Sequence, residues 1–132
     1  MNKIFFLLAV LFALSTTSVS AQGGVGNADP AAMLQRMKER VKPQLIEKTK
    51  ITDAEADKVI DAQFAWQRGS RDIRMDETLN DEQKKTRNAE LDVKRNAAFA
   101  AVPLTEEQLK SVNEFFEEMR KQQAERRKNG GN

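Results

Sequence analysis

The chain has 132 residues, no cysteine and no histidine, and a formal net charge of +2 from 22 basic and 20 acidic side chains. Without cysteine no disulfide can reinforce the fold, and without histidine there is no Ser-His-Asp triad, no imidazole base and no His-ligated metal centre. So narrow a basic excess also argues against a general nucleic-acid binder.

The chain opens on an export signal. Asn2 and Lys3 give a short positive start, Ile4 to Leu14 is an unbroken apolar run, and Val19 and Ala21 stand at the −3 and −1 positions of a signal-peptidase site. An apolar run of that length is too short for a membrane-spanning helix, which takes about 20 residues. No cysteine follows it, so it is not a lipoprotein anchor. Cleavage after Ala21 removes one base, Lys3, and no acid, which takes the net charge from +2 to +1. Residues 22–28 form a glycine-rich leader, expected to be disordered, and residues 129–132 a similar tail. Between them, residues 29–128 hold a single glycine, Gly69, and three prolines, with heavy use of Ala, Glu, Lys, Arg and Gln. That composition favours long helices, and no run of alternating β-branched residues marks a strand.

Four helices are expected. The first covers residues 30–48, with Asp29 as its cap and Pro30 at the first helical position. Leu34, Met37, Val41 and Leu45 give it one apolar stripe, and Pro43 should kink or break it near residues 39–43. The second begins at Thr52, where Thr52-Asp53-Ala54-Glu55 is a capping box. Ala56, Val59, Ile60, Phe64, Trp66 and Ile73 make its apolar face, and Gly69-Ser70 is a weak point. Helical residues two apart diverge by about 200°, so one of Phe64 and Trp66 is expected in the core. The third helix starts near Asn80 with a weaker box and carries Leu91, Val93, Ala97, Ala98 and Phe99 before Pro103. The fourth starts at Thr105 with the box Thr105-Glu106-Glu107-Gln108. Leu104 and Leu109 have the positions of a hydrophobic staple, and Leu109, Val112, Phe116 and Met119 continue the stripe.

Two of these starts share one form. Ile51-Thr52-Asp53-Ala54-Glu55 and Leu104-Thr105-Glu106-Glu107-Gln108 each run aliphatic, Thr, two residues, then an acid or amide. On these motifs the sequence resembles the Spy/CpxP-like periplasmic proteins, which carry paired Leu-Thr-x-x-Gln motifs. The second motif fits in full. The first departs from it in Ile51 and Glu55, both of which keep the capping chemistry. The resemblance implies a periplasmic location and an extended, hairpin-like and cradle-type all-α arrangement completed by dimerisation. It carries over Ile51, Thr52, Glu55, Leu104, Thr105 and Gln108 as structural elements. It further implies an ATP-independent chaperone or envelope-stress adaptor. The alternative is a regulatory protein that restrains a membrane sensor kinase, or a metal-responsive sensor, the latter disfavoured by the missing His and Cys. A blander reading is a helical envelope protein with no client.

A chaperone that holds unfolded chains needs a surface part apolar and part charged. Phe64, Trp66, Arg68, Arg71, Ile73, Arg74 and Met75 offer that mix and are the candidate client-binding residues. No catalytic residue and no cofactor is expected. Met33 and Met37 stand one turn apart and could present two thioethers to a soft ion such as Cu(I), but Met as core filler is the better reading. Adjacent acid pairs such as Glu106-Glu107 diverge on a helix and chelate poorly. Gly23, Gly24 and Gly26 have neither the preceding strand nor the Gly-Lys-Ser/Thr of a phosphate loop. The basic end, residues 120–128, lacks interleaved aromatics and reads as a solvated helix terminus. The partners expected are unfolded or partly folded envelope proteins, a second copy of the chain and, in the alternative, a sensor kinase, with no nucleic acid and no stable membrane anchor.

Overall fold

The computed structural model describes residues 29–130, and these form four helices and no strand. They are α1 (Pro30–Thr49), α2 (Asp53–Met75), α3 (Asp81–Ala100) and α4 (Glu106–Asn129). The expected signal peptide and leader, and the last two residues of the expected tail, lie outside the described residues. Among the described residues no helix is long and apolar enough to cross a membrane.

Each helix starts where a side chain supplies the acceptor its free N–H groups need. Asp29 Oδ1 accepts from Ala31 N at 3.0 Å and opens α1. Thr52, Asn80 and Thr105 open the other three, each with a complete reciprocal capping box. The Asn80–Gln83 box, weaker in the sequence, is formed as fully as the two threonine-led ones. Breaker residues act less than their identities suggest. α1 runs unbroken through Pro43. Pro43 and Glu39 both lie on the exposed side of the helix, where a carbonyl left without its i+4 donor is solvated. α2 likewise continues through Gly69 and Ser70. α4 extends to Asn129, with Gly130 as its cap, so these two residues belong to the helix end and not to the tail.

The turn between α1 and α2 is tight. Lys50 takes a left-handed conformation, φ 56°, and its N–H donates to Ile46 O at 2.9 Å. Thr49 Oγ1, buried, donates to Leu45 O at 2.7 Å. The chain then enters α2 antiparallel to α1. Lys42 Nζ bridges Asp53 at 2.6 Å and Asp57 at 3.0 Å, and Lys38 Nζ reaches Asp61 at 2.8 Å, so pairing moves forward along α2 as it moves back along α1.

The core gathers at one end of these helices. Val41 and Leu45 come from the second half of α1, Ala56, Val59 and Ile60 from the first half of α2, Phe99 from the end of α3, and Val112, Phe115 and Phe116 from the first half of α4. Ile51 and Val102, in the connecting turns, complete it. Phe99 and Phe116 stack with centroids 6.0 Å apart, and Phe115 meets Phe116 edge-on at 5.3 Å. Leu34, Met37, Leu104, Leu109 and Met119 pack against this cluster. Met37 thus packs against the core, while Met33, one turn earlier, is more exposed. Phe115 falls outside the stripe read from the sequence, yet it is buried. In α3 the reverse holds: of the apolar residues expected to pack, Phe99 alone is fully buried, and Val93 is 69% exposed.

One hydrogen bond ties the two motifs together. Gln108 Oε1 accepts from Thr105 N at 3.0 Å, closing its own capping box, while Gln108 Nε2 donates to Lys50 O at 3.1 Å. An amide can do both; the carboxylate of Glu55, in the first motif, can only accept. Glu55 accepts from Thr52 N at 2.8 Å and makes no comparable tertiary bond.

Two outcomes follow. Gln108→Ala should destabilise the protein by about 1 kcal/mol more than Gln83→Ala, which loses the local capping bond alone. Urea melts of the two variants check the difference. The second outcome concerns pH. Hydrogen bonds to Asp53 and then Asp57 raise the Lys42 pKa, and a hydrogen bond to Asp61 is the main cause that raises that of Lys38. Groups raised in this way stabilise fully below the free-lysine value of 10.5, and that contribution is lost as pH climbs through the folded value. Thermal melts above pH 10.5 should therefore fall more steeply for the wild type than for Lys38→Met/Lys42→Met, which has no such protons to lose.

Candidate functional site

Beyond the core, α2 and α3 continue side by side as a two-helix arm. Their antiparallel course is fixed by Trp66 Nε1, which donates to Asp92 Oδ1 at 2.8 Å, and nearer the tip by Lys84 Nζ, which donates to Arg74 O at 3.1 Å. Between these points the Leu91 side chain of α3 packs on Gly69 of α2. A Cβ there would sit 2.9 Å from Leu91 Cδ1 and 3.0 Å from Cδ2. The expected weak point is thus a contact point, and its glycine admits the Leu91 side chain. At the tip, Asp76 accepts from the backbone N–H of Thr78 at 2.9 Å and from its hydroxyl, which hold the Asp76 carboxyl below its usual range.

The candidate client-binding residues all lie on this arm, with different surroundings. Arg68, Arg71 and Arg74 are exposed, Phe64, Trp66 and Ile73 are half-buried, and Met75 is 70% exposed. Neither Phe64 nor Trp66 joins the core, which corrects the expectation that one of them would. The core position in this stretch goes to Gln63, which is 1% exposed and has an Oε1 without a hydrogen-bond partner. Phe64 and Trp66 lie past the closely packed end of α2, where α3 runs alongside and α4 reaches the indole through the Arg120 side chain.

Trp66 stands where three helices meet. The Arg95 guanidinium of α3 lies 5.0 Å from its ring centroid and 5.7 Å from that of Phe99. Arg120 of α4 lies 5.8 Å from the Trp66 ring. Burial lowers the Arg95 pKa from its ordinary value; Asp92 opposes the shift and Arg120 adds to it. Asp92, Arg95 and Arg120 were not legible in the sequence, because they reach Trp66 from positions 26 to 54 residues away.

The ion pairs are divided by residue type. Lys38, Lys42, Lys48, Lys110 and Lys121 pair with carboxylates, whereas among the described residues no arginine lies within 4.0 Å of an Asp or Glu carboxylate oxygen. Two shallow, open depressions are polar, one lined by Gln35, Lys38 and Asp57 between α1 and α2, the other by Asn80, Gln83 and Arg87 at the start of α3. Among the described residues no group of three or more acids is placed to hold a metal ion. Compared with known proteins, the chain matches no protein-family model, no curated protein and no solved structure.

The Gly69 contact gives a further test. Gly69→Ala should leave stability within about 1 kcal/mol of wild type, because the helix preference of Ala offsets a small turn of the Leu91 end. Gly69→Leu should cost about 1–3 kcal/mol by overpacking. It should also part Trp66 from Asp92, which Trp emission would register.

Proposed function

We propose that the protein is an ATP-independent chaperone or envelope-stress adaptor of the Spy/CpxP-like kind, acting in the periplasm as a homodimer. It transiently holds unfolding exported proteins on the α2–α3 arm and releases them without nucleotide. The kinship rests on the motifs Ile51-Thr52-x-x-Glu55 and Leu104-Thr105-x-x-Gln108, and the location on the export signal.

One observation carries the reading. The arm presents large apolar side chains, Met75 at 70% and Val93 at 69% exposure, together with arginines that have no carboxylate partner. Side chains of this kind on one arm offer an outside chain both apolar contacts and charge. Unpaired arginines steer an acidic or mixed chain toward the arm, and scattered apolar contacts then add modest affinity that permits release. A thin core gives a reason for dimerisation, since a second copy would cover apolar surface that one chain leaves open.

The purified protein should slow aggregation of an unfolded client at near-stoichiometric ratio, without ATP. Met75→Asp/Val93→Asp should lose most of that effect while keeping the helical signal of the wild type. Light scattering should give twice the chain mass. No protection by the wild type at equimolar ratio would overturn the reading.

A further inference from the structure

We infer that Trp66, Arg95 and Arg120 form a recognition site for an acidic segment of an unfolded polypeptide, the two guanidiniums taking a carboxylate beside the indole ring. The inference deepens the chaperone reading above and rests on it for the source of the ligand.

The first argument is an excess of positive charge around one ring. Arg95 and Arg120 both lie within 6 Å of the Trp66 centroid, at 5.0 and 5.8 Å. They come from different helices, so the fold, and not the chance drift of one helix face, places them together. Their repulsion is opposed by a single nearby acid, Asp92, whose Oδ1 already accepts the indole N–H at 2.8 Å. Asp92 lies beyond 4.0 Å from either guanidinium, and neither arginine is paired with any other acid among the described residues.

The second argument is unused donor capacity. A guanidinium has five N–H donors in a rigid fork that suits a carboxylate. Arg95 Nε is buried and has no partner, and its Nη2 makes one long bond to Asn96 Oδ1 at 3.3 Å. The buried Nε is out of a ligand's reach, but the Arg95 Nη groups and the exposed Arg120 guanidinium are not, and a carboxylate engaging them offsets the charge of both cations.

The third argument selects a polypeptide. Arg95 is half-buried, 5.0 Å from the Trp66 ring and 5.7 Å from that of the buried Phe99, so its charge is presented at one point beside the indole and not across a broad face. A flexible chain can lay an Asp or Glu at that point and rest a neighbouring apolar side chain on the ring. A flat lipid surface engages a broad basic face better than a single point, and an inorganic anion makes no use of the ring.

Trp66 is the one tryptophan of the chain, so its emission reports the site directly. The full protein is titrated with an unstructured peptide of Gly and Ser carrying scattered Glu and Leu, then with the same peptide carrying Lys for Glu. The acidic peptide should give a saturable emission change that weakens with added salt. Arg120→Gln, at an exposed position, should weaken it about tenfold, a loss of 1.4 kcal/mol, and Arg120→Glu should weaken it further. The melting temperature of each variant shows that the fold is kept. Equal affinity for the Lys peptide, an Arg120→Gln variant that binds as the wild type does, the same change with sodium acetate alone, or a response confined to phosphatidylglycerol vesicles would each overturn the inference. Client protection without an emission change would sink this site and leave the chaperone reading standing. Tight acidic-peptide binding without client protection would do the reverse.

Discussion

The amide of Gln108 acts in two directions, and much of the architecture hangs from it. Its oxygen closes the capping box that starts α4, while its nitrogen holds the carbonyl of Lys50 at 3.1 Å in the turn that ends α1. That turn is strained, because Lys50 has a left-handed backbone that disfavours a side chain. A tertiary hydrogen bond at that point helps to hold it. With the two helix starts fixed to each other, Ile51 enters the same buried cluster as Phe115 and Phe116. The repeated motif is thus more than two similar caps. It is the joint at which the chain's first and last helices meet.

From that joint the structure thins outward. Every fully buried side chain lies near the end where the turns 50–52 and 101–105 come together, and none lies in the second half of α4 or along α3 before Phe99. Local opening should follow this gradient, easiest where few apolar contacts must be given up. The arm is held instead by directional contacts: the Trp66–Asp92 bond, the seating of Leu91 at Gly69, and the Lys84 bond to Arg74 O. Such contacts keep two helices aligned without covering their outer faces.

The two basic residue types have separate work. Lysines pin α1 to α2 and to α4, through Asp53, Asp57, Asp61 and Glu118. Among the described residues the arginines have no carboxylate within 4.0 Å, and two of them gather at Trp66. A lysine is a strongly hydrated point charge on a flexible stem, suited to span a helix pair at the surface. An arginine is more weakly hydrated and stacks on rings, so it tolerates a half-buried place beside an indole.

The all-helical class, the four helices and their starts were legible in the sequence because they depend on local chemistry. A threonine or asparagine followed three residues later by Glu or Gln satisfies backbone N–H groups within one turn, whatever surrounds it. The stripe Leu34, Met37, Val41 and Leu45 was legible for the same reason: helical periodicity alone puts those residues on one face. What a proline or a glycine does depends on its setting. Pro43 leaves α1 unbroken because its side of the helix faces water, and Gly69 is a contact point because Leu91 arrives from another helix. Which apolar residues become core was decided only by the tertiary structure: Phe115 is buried by neighbours far along the chain, while Phe64 and Trp66 lie beyond them. The meeting of Trp66 with Arg95 and Arg120 belongs to the same class. Local periodicity fixes where a side chain sits on its own helix, but what it touches across a gap depends on how the helices are docked.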